Sequence, residues 1–222
     1  VKVSDGFELT TDYNKYHCKS IIIATGVKPR RIGVEREDEL VGNGVSYCAL
    51  CDGAFYSGED VCVIGDANTA LQYALVLSGY CKSVHICTLF DKFFGDKALL
   101  DLVLARPNVK YTHNLSLKEF IGNDELSALR FENTQTHEDV VVDAKCAFIC
   151  IGQVPHNECF ANLVELDKAG SVVADENCTT SCDGIFVAGD CRTKKIRQLV
   201  TAASDGSVAA FNACNYVDKV NG

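Results

Sequence analysis

The sequence contains no methionine and no tryptophan, and only three of its 222 residues are proline. Because translation starts at a methionine, we expect a further segment upstream of Val1. No apolar run approaches the roughly 18 residues that a membrane-spanning helix needs. The first residues also lack the basic-then-apolar pattern of a signal peptide. These absences predict a cytoplasmic protein without a membrane span.

Positive charge is scarce as well. The chain has 21 Lys and Arg residues against 30 Asp and Glu residues, a formal net charge of −9. Since proteins that bind nucleic acid usually carry a basic surface, this balance argues against that class of partner. Hydrophobic residues make up 47% and charged residues 23% of the chain, as in an ordinary globular protein. The length allows one large domain or two small ones.

Cysteine, in contrast, is abundant, with thirteen residues. This share is below the one that marks a disulfide scaffold in a short secreted chain, and the spacing is irregular. With no signal peptide, we interpret most of these residues as buried thiols that pack in a reducing compartment. We expect eleven of the thirteen to have this role and treat one pair separately.

That pair is Cys48 and Cys51, which are separated by two residues and followed by Asp52. Two thiols at this spacing can close a short-ring disulfide, and a neighbouring carboxylate can move protons as the disulfide opens. Local sequence leaves two alternatives open. The pair can belong to a structural zinc site completed by Cys178 and Cys182, or it can be two inert buried thiols.

A strand, a turn and a helix follow the cysteine pair. The apolar run Val61–Gly65 is typical of a buried parallel strand, and helical spacing of apolar residues continues to Tyr80. A second strand, Ser83–Cys87, completes a βαβ unit. The stretch from Leu115 to Val142 is polar and strand-like, with turn signals near Gly122-Asn123 and from Thr134 to Glu138, which predicts further strands.

The turn of this unit is a degraded dinucleotide motif with the sequence Gly65-Asp-Ala-Asn-Thr-Ala70. It matches G-x-G-x-x-G/A only if Ala67 replaces the second glycine, which normally lets the backbone approach a pyrophosphate. A methyl group at Ala67 crowds that phosphate, and Asp66 adds negative charge beside it. The motif therefore indicates either a weakened nucleotide site or a fold that has lost the nucleotide.

Two similar strand ends divide the chain. The apolar runs that end at Gly26 and Gly152 are each followed within three residues by a proline. We predict three segments: residues 1–30 and 154–222 as parts of one domain, and residues 33–150 as a nucleotide-binding-type domain inserted between them.

A second strand end carries Gly189 and Asp190 and precedes a helical pattern from Gln198 to Tyr216. A carboxylate at this place can accept hydrogen bonds from a ribose or another polyol, and a helix N-terminus behind it can face an anion. The plain alternative is a connection built from common turn residues.

Taken together, five segments resemble the low-molecular-weight thioredoxin reductases over essentially the whole chain. They are Ala24-Thr-Gly26, Gly44-Val-Ser-Tyr-Cys-Ala-Leu-Cys-Asp-Gly53, Ile151-Gly-Gln-Val-Pro155, Gly184-Ile-Phe-Val-Ala-Gly-Asp190 and Arg197-Gln-Leu-Val-Thr-Ala202. The resemblance implies an α/β fold in which a split, three-layer ββα FAD-binding domain receives an inserted Rossmann-like domain that carries the CxxC pair. It also implies a homodimer and, upstream of Val1, the βαβ unit that binds the FAD pyrophosphate.

The resemblance assigns roles to individual residues. Cys51 takes electrons from the flavin, Cys48 attacks a thioredoxin-like protein, and Asp52 protonates a departing thiolate. The residues that the resemblance places at FAD are Ala24, Thr25, Gly26, Gly189, Asp190, Arg197, Gln198 and Thr201. It implies no metal.

Two departures from the family affect the site for NADPH. One is the motif at Gly65, Asp66, Ala67 and Ala70. The other is the family's H-R-R-x-x-x-R, which holds the 2′-phosphate and aligns on Thr88-Leu-Phe-Asp-Lys-Phe-Phe94. All three arginine positions are non-basic here, and the histidine position is Thr88. Each lost charge-assisted contact is worth roughly 1.5–3 kcal/mol. NADPH and NADH are therefore doubtful cofactors.

We predict a flavin-dependent reductase of a thioredoxin-like protein whose electron donor is not NADPH. Ferredoxin is a possible donor, since some clostridial relatives are driven by it, and Lys194, Lys195 and Arg197 are candidates for the basic patch that docks it. Two alternatives stay open: a conventional NAD(P)H-dependent thioredoxin reductase, and a non-catalytic nucleotide-fold or zinc-binding module.

Overall fold

The computed structural model describes residues 1–222, which form fifteen β-strands and four α-helices. The helices are α1 (Ala49–Asp52), α2 (Asn68–Leu77), α3 (Lys97–Leu104) and α4 (Leu199–Asn221). The strands are β1 (Lys2–Val3), β2 (Gly6–Thr10), β3 (Lys15–Cys18), β4 (Ile21–Ile23), β5 (Val27–Pro29), β6 (Val45–Ser46), β7 (Asp60–Ile64), β8 (Ser83–Cys87), β9 (Val109–Thr112), β10 (Leu115–Gly122), β11 (Leu126–Asn133), β12 (Asp139–Asp143), β13 (Cys146–Ile149), β14 (Gln153–Pro155) and β15 (Ile185–Val187).

These elements belong to two compact units. The inserted unit consists of Pro29–Gly152, and the split unit joins Val1–Lys28 to Gln153–Gly222. Each unit has its own buried clusters of apolar side chains.

A parallel sheet of five strands, in the order β6-β13-β7-β8-β9, forms the centre of the inserted unit. Side chains of β7 alternate between its two faces, because successive residues of a strand point in opposite directions. Val61 and Val63 pack on the side of α2, whereas Cys62 and Ile64 pack on the side of β10–β12. Both faces are thus covered, which explains the uninterrupted apolar run in the sequence.

The second layer on this sheet is an antiparallel meander, β10-β11-β12. Leu129 and Phe131 of β11 are fully buried against the parallel sheet. The strands predicted between Leu115 and Val142 are confirmed, and the meander has one buried and one more exposed face.

The helix α2 confirms the predicted βαβ unit. Its residues Ala70, Leu71, Ala74 and Leu77 are buried, a spacing that places them on one helical face. The helix α3, in contrast, is an element that the sequence reading did not identify. Only Val103 of its eight residues is buried, so its apolar signal is short.

The split unit has three layers. The antiparallel sheet β1-β2-β3 packs on one side of the parallel pair β4–β15, and α4 packs on the other. Within β15, Ile185 and Val187 join the cluster that contains Phe7, whereas Phe186 contacts the side of α4. The predicted α/β class with a three-layer ββα arrangement is confirmed. No helix in the structure combines the length and the apolarity that crossing a bilayer requires.

Two leucines of the inserted unit provide a test of this core. We expect Leu71→Ala to lower the free energy of unfolding by about 3 kcal/mol, because it removes a fully buried side chain of α2 and leaves a cavity. Leu102→Ala makes the same chemical change in α3 at a side chain that is 59% exposed and is the matched control. Urea titrations of the full-length protein measure both, and equal losses would contradict the packing described here.

Candidate functional site

The cysteine pair follows β6 at the carboxyl edge of the parallel sheet. Cys48 and Cys51 form a disulfide whose Cα atoms are 5.3 Å apart. The four-residue helix α1 carries Cys51, and Cys48 is its N-terminal cap. The local sequence therefore closes the ring within one helical turn.

The environment of the disulfide is open on the side of Cys51. Cys51 and Leu50 are exposed, and Phe55, four residues further along the chain, is 84% exposed. The amide of Cys51 donates a hydrogen bond of 3.2 Å to the Cys48 Sγ atom. This donor would stabilise negative charge on the Cys48 sulfur when the disulfide is reduced, because hydrogen bonding favours the thiolate form.

Asp52 lies directly beside the disulfide on the same helix. Its amide donates to the carbonyl oxygen of Cys48 at 3.0 Å. Its carboxylate Oδ2 atom accepts a hydrogen bond of 2.7 Å from the hydroxyl group of Ser46, a buried residue of β6. The structure thus brings Cys48, Cys51 and Asp52 together, as predicted, and adds Ser46.

Glu37 and Tyr47 are further residues that sequence reasoning missed. The buried Glu37 carboxylate accepts hydrogen bonds from the amides of Ile32 and Gly33, at 3.1 and 2.8 Å, and from the Tyr47 hydroxyl at 2.6 Å. The guanidinium of Arg31 donates to the same hydroxyl. Because Tyr47 directly precedes Cys48, this hydrogen-bond network fixes the chain segment that leads into the disulfide.

The degraded nucleotide turn lies at the same edge of the sheet, after β7. Gly65 has a φ of +152°, and a Cβ atom there would lie 2.6 Å from the carbonyl oxygen of Cys150 and 3.1 Å from the Cβ of Ala70. Positions 65 and 70 therefore keep the small residues, Gly65 and Ala70, that close packing of strand and helix requires. Ala67 is exposed and gives α2 no side-chain cap, and partial burial raises the pKa of Asp66.

The loop after β8 is apolar where the family has arginines. Leu89, Phe90 and Phe94 are each about half exposed. The rings of Phe90 and Phe94 meet edge to face at 5.4 Å, and the Lys92 ammonium lies 5.3 Å from the Phe94 ring centre. A 2′-phosphate at this loop would therefore find one cation and no guanidinium.

In the split unit, Gly189 and Asp190 form a single 3₁₀ turn directly after β15. Gly189 has a φ of +81°, a conformation that favours glycine. The Oδ1 atom of Asp190 is buried without a hydrogen-bond partner in the protein. An unpaired buried acceptor is costly, so this atom suits a hydroxyl group of a ligand such as the polyol chain of FAD.

The segment after β4 follows the same pattern on a neighbouring strand. Gly26 has a φ of +66° and open space on its Cβ side, while Ala24 and Thr25 are exposed. The Thr25 hydroxyl donates a hydrogen bond of 2.8 Å to the Oδ1 atom of Asn157. The side-chain Nδ2 atom of Asn157 in turn donates to the carbonyl oxygens of Gly170 and Cys191. Since β4 and β15 are parallel neighbours, their carboxyl ends place Ala24–Gly26 and Gly189–Asp190 at one edge.

The N-terminus of α4 supplies the remaining predicted residues. The Arg197 guanidinium donates to the Asp190 carbonyl oxygen at 3.3 Å. Gln198 is the N-terminal cap of α4, and its backbone amide donates a hydrogen bond to the Thr201 hydroxyl. Thr201 thus has a capping role in the structure, and the Arg197 side chain lies next to the Asp190 turn.

A buried ion cluster centred on Asp205 stabilises this turn. Asp205 is 6% exposed and accepts hydrogen bonds from the Gly189 amide at 3.0 Å, Arg192 at 2.8 and 3.0 Å, and Lys194 at 2.7 Å. The Arg192 guanidinium holds the pKa of the Asp205 carboxyl well below its usual range. The available sequence signal was that Asp205, one of two aspartates in α4, lies among alanine, serine and glycine residues, and sequence reasoning did not use it.

This cluster corrects one prediction. Lys194 was a candidate for an exposed basic docking patch, but its ammonium is buried against Asp205. Of the three candidates, Lys195 is exposed, and Arg197 is partly buried and bonded to the Asp190 carbonyl. The basic patch near the Asp190 turn is therefore smaller than the sequence suggested.

The eleven other cysteines are free thiols, and seven of them are buried. Burial raises the pKa of Cys81 to about 11 and raises the pKa of Cys150 as well, so these thiols are poor nucleophiles at neutral pH. Cys159 and Cys214 are exposed. The structure contains no group of three or more His, Cys, Asp or Glu side chains arranged to hold a metal ion.

Comparison with known proteins agrees with this site. A family model described as pyridine nucleotide-disulphide oxidoreductase matches residues 2–206. The chain is 38% identical over 212 residues to thioredoxin reductase of Mycoplasma pneumoniae, covering 95% of this chain and 67% of the relative. It is 37% identical over 218 residues to a 34.2 kDa protein in the rubredoxin operon of Clostridium pasteurianum, covering 98% and 71%.

Among solved structures, thioredoxin reductase from Streptococcus pyogenes superimposes with a TM-score of 0.91 at 33% identity, covering 99% of this chain and 72% of that one. The chain belongs to the low-molecular-weight thioredoxin reductase family. It is thus a flavoprotein disulfide reductase, and members of this family bind FAD. The fit of FAD to this chain stands on the unpaired Asp190 Oδ1 atom and the open left-handed turn at Gly26.

The Asp205 cluster predicts a pH-dependent loss of stability. We expect Asp205→Asn to lower the free energy of unfolding at pH 7 by about 3 kcal/mol, because Arg192 and Lys194 would both lose their shared buried anion. The native pKa of Asp205 is depressed, so its contribution is complete above the ordinary aspartate value near 4 and is lost as the pH falls below it.

The difference in free energy of unfolding between wild type and Asp205→Asn should therefore shrink below about pH 4, as measured by urea titrations of the full-length protein. Asp218→Asn, on an exposed position of α4, is the matched control and should change stability by less than about 0.5 kcal/mol. A difference that stays constant down to pH 2–3 would contradict the ion pair.

Proposed function

We propose that this reductase transfers electrons from FAD through the Cys48–Cys51 disulfide to a thioredoxin-like protein. The observation that carries the proposal is the joined cysteine pair on α1, exposed at Cys51 and adjacent to the Asp52 carboxylate. Thioredoxin reductases are among the relatives that match nearly the whole chain. We further propose that Pro29–Gly152 is the inserted redox domain and that the split unit is the FAD domain of a homodimer.

The proposed reaction uses the two electrons stored when Cys48 and Cys51 are reduced. The Cys48 thiolate attacks one sulfur of the partner's disulfide, which forms a mixed disulfide and expels the other partner sulfur as a thiolate. Asp52 takes up the proton of the Cys48 thiol as that sulfur becomes a thiolate and passes this proton to the leaving sulfur; the Cys51 thiol supplies the second proton in the next step. Cys51 then attacks Cys48, restores the Cys48–Cys51 disulfide and releases the partner as a dithiol.

The residues placed to hold FAD are Ala24, Thr25, Gly26, Gly189, Asp190, Arg197 and Gln198. Asp190 offers its unpaired carboxylate oxygen to a hydroxyl group, and the N-terminus of the 23-residue helix α4 offers partial positive charge. FAD, when bound, supplies the electron pair that reduces the disulfide, and Cys51 is the thiol that we assign to this exchange.

For the electron donor, we propose a molecule other than NADPH, with ferredoxin as a possible donor. Support comes from the apolar loop of Leu89, Phe90 and Phe94 and from Asp66 in the turn where a pyrophosphate would bind. Each missing guanidinium removes roughly 1.5–3 kcal/mol of binding energy for a 2′-phosphate.

A conventional NAD(P)H-dependent reductase is the second candidate. The retained packing positions Gly65 and Ala70 favour it, since they keep the βαβ turn in its close-packed form. Without arginines at the loop after β8, this alternative fits NADH better than NADPH.

The thiol roles lead to a direct test. We expect Cys48→Ser and Cys51→Ser each to abolish reduction of thioredoxin by the full-length, FAD-loaded protein, because neither variant can store two electrons as a dithiol. Cys159→Ser, at an exposed free thiol, is the matched control and should retain full turnover. Turnover in either of the first two variants would refute the assignment.

The donor proposal has a separate test. We expect anaerobic NADPH at micromolar concentration to leave the flavin absorption band of the full-length protein largely unbleached, because the loop after β8 has no guanidinium for the 2′-phosphate. Dithionite provides the fully reduced reference, and NADH and reduced ferredoxin are added in parallel. Rapid bleaching by NADPH would overturn the proposal; bleaching by NADH alone would establish the second candidate.

A further inference from the structure

Ser46 has no assigned role, yet its side chain joins the two chemical parts of the redox motif. Its hydroxyl oxygen lies 2.7 Å from Asp52 Oδ2 and accepts a hydrogen bond of 3.1 Å from the Cys48 amide. We infer that Ser46 is a positioning residue that aims the Asp52 carboxyl group for proton transfer to the leaving thiol. The inference rests on the proposed function.

The direction of these hydrogen bonds follows from the number of protons available. A serine hydroxyl has one proton to donate and two lone pairs. The Cys48 amide donates to one of these lone pairs, so the hydroxyl proton is free for an acceptor. The nearest acceptor is Asp52 Oδ2, since the Cys48 carbonyl oxygen is 3.5 Å away. Ser46 therefore fixes one carboxylate oxygen and leaves Oδ1 for the reacting sulfur.

The sheet holds Ser46 in this place. The strand β6 is only two residues long, and Ser46 pairs with Phe148 of the neighbouring strand β13. The residue is 3% exposed, so water does not compete for its hydroxyl group. Asp52, by contrast, lies on the short helix α1 and is partly exposed. The rigid strand thus orients a carboxylate on a small element that could otherwise rotate.

The nature of the leaving group distinguishes this role from a merely structural one. An alkyl thiolate of a protein disulfide is a basic leaving group and benefits from a proton donor. The aromatic thiolate released from 5,5′-dithiobis(2-nitrobenzoate) leaves readily without a proton, because lower thiol pKa values give faster departure. A residue that acts only through Asp52 should matter for the first substrate and not for the second.

The experiment is a single turnover that does not depend on the physiological donor. The full-length, FAD-loaded protein is reduced with stoichiometric dithionite and mixed anaerobically with oxidised thioredoxin or with 5,5′-dithiobis(2-nitrobenzoate). Formation of the thioredoxin dithiol or of the aromatic thiolate is followed over time. The variants are Ser46→Ala, Ser46→Thr, which keeps the hydroxyl group, and Ser57→Ala, at an exposed serine in the next turn.

We expect Ser46→Ala to slow the thioredoxin reaction by about tenfold, a part of the 10²–10⁴-fold that general-acid catalysis supplies. The reaction with the aromatic disulfide should keep its wild-type rate, Ser46→Thr should recover most of the lost rate, and Ser57→Ala should match wild type. Flavin absorbance and thermal unfolding of each variant establish that it is folded.

Two results would overturn the role of Ser46: equal slowing of both substrates by Ser46→Ala, or no effect on either. If wild type itself fails to reduce thioredoxin while reducing the aromatic disulfide, the proposed function fails instead. The two failures are therefore distinguishable.

Discussion

The parallel pairing of β13 with β6 on one side and β7 on the other is the constraint on which the inserted unit depends. Ala147 and Phe148 bond to β6, and Cys146 to Ile149 bond to β7. Parallel strands end at the same edge, so the redox motif after β6 and the turn at Gly65 after β7 emerge at one edge of the sheet, on either side of β13. The two ladders of backbone hydrogen bonds on β13 thus fix the redox helix and the nucleotide turn relative to each other.

The split unit uses the same geometry with a different source of rigidity. Its parallel pair β4–β15 is short, and each strand has three residues. The buried Asp205 carboxylate compensates for these short strands, because it accepts hydrogen bonds from the Gly189 amide, from Arg192 and from Lys194 and so connects all three. Coulombic attraction in a poorly hydrated interior holds the turn that presents Asp190, whereas backbone pairing and the close packing of Gly65 hold the corresponding turn of the inserted unit.

Sequence reasoning captured the features that depend on local spacing. The apolar run of β7, the helical face of α2 and the CxxC pair are encoded by neighbouring residues, and the structure contains each of them. It missed α3, whose single buried residue gives little periodic signal. It also missed Ser46, Glu37 and Asp205, because their partners are set by strand pairing and helix packing and not by distance along the chain. For Lys194, sequence indicated a surface charge, and the fold buries it.

The turn at Gly65 and the loop after β8 also differ in what holds their residues in place. Gly65 and Ala70 are required by packing, so a change there disturbs the core. Leu89, Phe90 and Phe94 are half exposed, and the sheet beneath does not depend on their side chains. Packing of the scaffold and the proposed discrimination between donors therefore depend on separate residues. As a result, a lineage with this fold can exchange one reductant for another at little thermodynamic cost to the scaffold.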